Sequence, residues 1–202
     1  MFTQNPFAEL SATISPEIMQ GYVIAMILAV IVGTVLDMMH KKSAEYFFNN
    51  AEKAKQSAKR ELSGGEKMGL AIQTLTSEVL TSSEFASPRR RLSHLFTMYG
   101  FIFFVVATAW LIFGYPSDAA APKWLASMWH IGAVMLCIGG YWFWFFIRVD
   151  VASEGVKWYN FNGRGDIFIV GLLSTATFAL IWSSTMNMIV FALFIISSTV
   201  LF

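Results

Sequence analysis

Apolar residues run in long blocks along this chain, and the polar residues gather between them. The first block, GYVIAMILAVIVGTVLDMM, covers 21–39. Ser15-Pro16-Glu17 stands just ahead of it. An N-cap residue, a proline suited to the first helical position and an acid in the first turn together start a helix. The pattern predicts a spanning helix over 19–39. Ser87-Pro88 repeats the same signal and predicts a second over 91–114. Pro116 and Asp118 mark a turn, and Pro122 opens a third helix over 123–147, which Arg148-Val149-Asp150 closes. The last block, 167–202, is longer than the ~20 residues that one spanning helix needs. Its polar patch Ser183-Ser184-Thr185-Met186-Asn187 predicts two short helices, 167–183 and 187–202, joined by a tight turn. One long or broken helix is the rival reading.

The segments between the blocks carry their own patterns. Residues 44–62, AEYFFNNAEKAKQSAKREL, combine strong helix formers with alternating charge, and Ser63-Gly64-Gly65 interrupts them. Over 67–80, Met68, Ile72, Leu75 and Val79 recur at helical spacing. They form a stripe that must rest on the membrane, on the bundle or on a partner, with the bundle favoured. Residues 150–166 contain Gly155, Asn160, Gly163 and Gly165 and read as a loop. The fold class is therefore all-α: a polytopic transmembrane helical bundle forming one membrane domain over 1–202. Five helices are expected, with four as the rival count, and 40–90 forms a cytoplasmic amphipathic helical loop.

Composition agrees. Only 13% of the 202 residues are charged, against about 25% in an average soluble domain. Net charge is +1, which gives no reason to expect a nucleic-acid partner. The first twenty residues hold no Lys or Arg, so the first block reads as a retained helix and not as a secretory signal. Lys41, Lys42, Lys53, Lys55, Lys59, Arg60, Lys67, Arg89, Arg90 and Arg91 lie between the first two blocks, and Arg148, Lys157 and Arg164 follow the third. The other side keeps only Lys123, with Glu9, Glu17 and Asp118. The positive-inside rule then expects a periplasmic N-terminus and two cytoplasmic basic loops in a plasma membrane. Tyr22, Tyr115, Trp124, Tyr141, Trp142, Trp144 and Trp182 sit near helix ends, as interfacial aromatics do.

Candidate chemistry is sparse. The single cysteine, Cys137, cannot form an intrachain disulfide, a CxxC pair or an iron–sulfur cluster. No P-loop, GxGxxG, HExxH or nucleophile elbow occurs, and no catalytic residue or metal cluster is expected. Three histidines remain: His40, His94 and His130. His40 and His94 fall at similar depths near the cytoplasmic side. They are the only pair that could hold one b-type haem; as interfacial histidines they would instead bond headgroups, carboxylates or backbone. His130 lies roughly 27 Å along the helix from Arg148 and cannot share that site.

His130, Val134, Cys137, Tyr141, Trp144 and Arg148 recur on one face of the third helix. Such a stripe either packs within the bundle or lines a quinone slot, packing being the commoner case. Asp37, the one acid in the first block, has local partners in His40 and Lys41. Arg89, Arg90 and Arg91 serve as topology anchors, and with Lys41 and Lys42 offer a docking surface for an acidic partner.

Four blocks add a family resemblance: NPFAELSA, ILAVIVGTVLDMMHKKSAEYFF, RRRLSHLFTMYGF and GGYWFWFFIRVDVASEG. They resemble the membrane anchor subunits of dissimilatory adenylylsulfate reductase from sulfur-oxidising bacteria, from the N-terminus to about 182. RRRLSHLFTMYGF is also similar to cytochrome b-type quinone-interacting subunits, although three histidines are too few for two bis-His haems. The resemblance implies a soluble flavin and iron–sulfur reductase docked at the cytoplasmic face of the bacterial inner membrane. It implies electrons from sulfite oxidation passing to quinone; the residues themselves offer His94, Tyr99, Tyr141, Trp144 and Arg148 as candidate quinone-binding residues. A haem b subunit of another oxidoreductase and a purely structural scaffold are the alternatives.

Overall fold

The structure, a computed structural model, describes residues 2–58, 62–117, 120–163 and 165–201. Lys59, Arg60, Asp118 and Arg164, which enter the charge count, lie outside the described residues. The fold is all-helical, with no strand among the described residues. In order, the helices are α1 (Pro6–Leu10), α2 (Pro16–Lys41), α3 (Ser43–Gln56) and α4 (Gly64–Thr74, continued as a π-helical turn, Leu75–Val79). They are followed by α5 (Pro88–Gly114), α6 (Lys123–Trp142, continued as a π-helical turn, Phe143–Ile147), α7 (Ile167–Thr185) and α8 (Met188–Leu201). Four of them, α2, α5, α6 with its π turn, and α7, are long and apolar enough to cross a membrane, which makes this a multi-pass membrane protein. The fifth expected span, α8, has 14 residues, about 21 Å at 1.5 Å per residue. The tight turn before it forms at Met186, whose φ of 50° places it in the left-handed region.

The helices start where the sequence signals lie, with two differences of mechanism. Ser87 occupies the N-cap of α5 and Pro88 its first turn, yet the Ser87 side chain makes no capping hydrogen bond. Ser63-Gly64-Gly65, read as an interruption, opens α4. Ser63 Oγ accepts from Glu66 N at 3.3 Å and Glu66 Oε2 accepts from Ser63 N at 2.8 Å, a reciprocal capping box.

The chain forms two compact units, Met1–Ile24 with Phe85–Phe202, and Ala25–Glu84. The first unit has a core built on close backbone approach. A Cβ added at Gly132 would lie 2.6 Å from Phe104 N, one at Gly100 2.8 Å from Leu136 N, and one at Gly139 2.7 Å from Ser93 O. Glycine therefore sets the spacing of the antiparallel pair α5 and α6, as small residues do between membrane helices. Ser93 Oγ locks the pair by donating to Gly139 O at 2.8 Å. At the opposite end, Phe7, Phe104, Trp129, Trp182, Phe191 and Phe194 are all buried; Trp182 stacks on Phe194, and the other ring pairs meet edge-on or tilted. Asn5 places α1 in that cluster. Its Oδ1 accepts from Phe7 N at 3.1 Å and its Nδ2 donates to Tyr115 O at 3.0 Å.

The second unit is different. From 25 to 81 no described residue is buried. The stripe Met68, Ile72, Leu75 and Val79, favoured as bundle packing, is 49–63% exposed, so nothing in its own unit covers it.

Candidate functional site

The α6 stripe points at α7, and His130, Cys137, Tyr141 and Arg148 find partners on that helix or at its start. His130 Nδ1 lies 2.8 Å from Ala126 O, which only accepts, so Nδ1 carries the proton. Its Nε2 lies 3.2 Å from Ser183 Oγ. Tyr141 Oη and Thr177 Oγ1 are 2.9 Å apart, and Cys137 Sγ lies 3.7 Å from the same hydroxyl. These contacts support bundle packing as the role of the stripe. Tyr141 also stacks on Phe145 at 6.1 Å.

Arg148 ends the stripe and organises the loop that follows. The guanidinium is 2% exposed. Its Nε donates to Asp166 Oδ1 at 3.0 Å and its Nη2 to Asp166 Oδ2, a bidentate pair. Nη2 also donates to Asn160 O at 2.5 Å and Nη1 to Lys157 O at 3.4 Å. Trp144 lies beneath, 4.3 Å from ring centroid to guanidinium carbon. Asp166 Oδ2 further accepts from Asn162 N at 2.7 Å. The bonds from Arg148 hold the Asp166 carboxyl below its ordinary value of 3.8, against the opposing effect of burial. One ion pair thus ties the end of α6 to the start of α7 and folds the connector between them. Arg148, expected at a quinone, is bonded to this loop. Trp144 serves Arg148, and Tyr141 serves Thr177.

A cavity of about 520 Å³ opens at the Arg-rich end of the first unit. Ser93, His94 and Thr97 line it from α5 and Phe143 from α6, with Phe168 and Ile169 from α7. Phe85 and Arg90 close one side, and Ser153, Glu154 and Asp166 another. His94 is exposed, with its ring 5.0 Å from that of Phe85. Ser93 spends its hydroxyl proton on Gly139 O, and Thr97 donates to Ser93 O at 2.9 Å. The N–H carriers in the lining side chains are therefore Arg90 and His94. Arg90 is steadied by Ser153, Nη2 to Oγ at 2.5 Å. Aromatic walls, a few donors and this volume suit a flat, polar-edged ring such as a quinone.

Of the candidate quinone residues, the structure brings His94 alone into this cavity. Tyr99 lies beside Phe103, ring centroids 6.4 Å apart, and does not line it. His40 is exposed in the second unit, one turn from the Asp37–Lys41 ion pair of 2.8 Å. His94 and His130 belong to the same unit but not to one level. His94 neighbours Ser93, which bonds Gly139, nine residues or roughly 13 Å along α6 from His130. Lys42 pairs with Glu45 at 3.8 Å.

Asp166 escaped the sequence reading, as did Ser93 and Thr97. One signal was available for Asp166: it immediately precedes an apolar block whose predecessor ends in an arginine. Antiparallel neighbours bring those two ends together. No family model matches the chain, and no curated protein or solved structure does.

Proposed function

We propose that this chain is the membrane anchor of a cytoplasmic flavin and iron–sulfur adenylylsulfate reductase, and that it delivers electrons from sulfite oxidation to the quinone pool. The observation that carries the reading is the likeness of four sequence blocks lying between 5 and 155. The electron-transfer half draws support from the cavity around His94 and Arg90, which has the size and lining of a small-molecule site. The docking half draws support from the second unit. Its apolar faces are uncovered, and it carries Lys41 and Lys42; in the first unit, Arg89–Arg91 add further cations for an acidic surface. In this reading the N-terminus is periplasmic, both basic loops face the cytoplasm of a bacterium and lipid surrounds the apolar spans.

Within the site, His94 and Arg90 would donate hydrogen bonds to a ring oxygen, while Phe85, Phe143 and Phe168 hold the ring plane. A bound quinone would supply the two-electron acceptor. The test is purification of the complex in mild detergent followed by quinone-dependent oxidation of sulfite with AMP. We expect a flavin and iron–sulfur protein to copurify and His94→Ala to lower quinone reduction at least tenfold, with the anchor still inserted. Copurification of no such protein would overturn the docking half. Normal quinone reduction by His94→Ala would leave His94 a structural residue. A visible spectrum of the same sample decides whether the His40 and His94 haem exists.

A further inference from the structure

A second cavity, of about 440 Å³, lies beside the first and shares Arg90 with it. Ser87, Arg89 and Arg90 line it from the start of α5, Trp142 and Phe146 from the end of α6, and Asp150 from the segment that follows α6. We propose that it binds the phosphate headgroup of an anionic phospholipid.

Charge favours this ligand. Two guanidinium groups meet one carboxylate, and Asp150 Oδ1 already accepts from Ala152 N at 2.8 Å. No described residue pairs with the Arg89 side chain, although Arg89 sits in a membrane protein where an unmatched cation seeks an anion. Arg90 is held in place by Ser153 and needs no reorganisation to serve as a second donor. Arginine suits a phosphodiester because its fork of N–H donors meets two oxygens at once.

Layering favours a lipid over a free anion. The guanidinium groups lie at the helix end, while Trp142 lies five residues, roughly 8 Å, before the end of the spanning segment at Ile147. Phe146, in the π turn of α6, is 70% exposed beside the cavity. A phosphate at the arginines would therefore have apolar and aromatic surface directly beneath it, where acyl chains begin. A soluble phosphate would use none of that surface. Arg90 also lines the quinone-sized cavity, so a lipid here would hold a wall of that site.

The experiment uses the full chain, delipidated in a neutral detergent. Thermal unfolding is followed with phosphatidylglycerol, with phosphatidylethanolamine and with inorganic phosphate, and bound lipid is counted by native mass spectrometry. We expect phosphatidylglycerol to raise Tm by several degrees and to remain bound, while the other two do neither. Arg89→Gln with Arg90→Gln should abolish the rise and the bound lipid. Arg91→Gln removes one charge from the same turn but not from the cavity lining, and should keep most of both. Circular dichroism confirms that each variant is helical; if the double variant fails to fold, Arg89→Gln alone should still weaken lipid retention about tenfold. An equal shift with inorganic phosphate would overturn the assignment to a lipid. So would an Arg91→Gln loss as large as that of Arg89→Gln, or a wild-type chain that phosphatidylglycerol neither stabilises nor remains bound to.

Discussion

The two units are made of the same kind of element and are stabilised in opposite ways. In the first, α5 and α6 approach closely enough that glycine backbone meets backbone, Gly140 of α6 packs against the Leu173 side chain of α7, and an aromatic cluster fills the end farthest from the arginines. In the second, helices form from local signals, capping and propensity, and leave their apolar faces uncovered. Phe47, Phe48 and Met68 are each 63–68% exposed there. The contrast teaches that the bundle carries its own reasons to fold. The 25–84 segment holds its shape through helix chemistry and draws tertiary stabilisation only from whatever covers it.

The largest effect should come from glycine, and the two units should disagree about it. Gly132→Leu would drive a side chain into the Phe104 backbone and is expected to cost about 3 kcal/mol or more. Gly69→Leu in α4 meets open space and should leave bundle stability unchanged. Detergent thermal unfolding of both variants tests this directly; equal losses would erase the distinction between the units.

Next in size is the buried ion pair. Arg148→Met leaves the Asp166 carboxylate in a half-dry pocket without its partner, and should cost roughly 3 kcal/mol. Limited proteolysis should then cut within 149–166, and adding Asp166→Asn should recover part of the loss. Because Arg148 lowers the Asp166 pKa, the pair contributes fully above the ordinary value of 3.8 and is lost as pH falls below it. Protection of the wild-type loop should therefore fade only in strong acid, and Arg148→Met should remove that acid step.

A smaller effect on the bundle, but a large one on assembly, is expected from the α4 stripe. Met68→Ser, Ile72→Ser, Leu75→Ser and Val79→Ser together should alter bundle unfolding by less than about 0.5 kcal/mol, as exposed positions do. Binding of the proposed soluble partner, measured by copurification, should fall at least tenfold. A bundle that unfolded early would show that the stripe packs at home. The smallest effect is Ser63→Ala, which removes one half of the capping box and about 1 kcal/mol from α4 alone. Hydrogen exchange should speed up at Glu66 and its neighbours, with the bundle silent.

Sequence alone determined the helices, because their causes are local. Apolar runs, Ser-Pro starts and the polar break near Met186 act within a few residues, and the observed bounds differ from the expected ones by a turn or less in the bundle. The resting place of the α4 stripe was not legible, because periodicity names a face and never its cover. Nor were the uses of Arg148 and Tyr141, which depend on residues 18 and 36 positions away. Their alignment on α6 was visible, but the same stripe suits a quinone or a helix neighbour. The packed bundle supplies what the stripe alone could not, namely protein partners for those side chains, since the glycines set how close α6 comes to α5 and Arg148 reaches Asp166 at the start of α7. Tertiary structure alone also made the cavity around His94, because its lining is drawn from three helices and a loop whose proximity no short stretch of chain encodes.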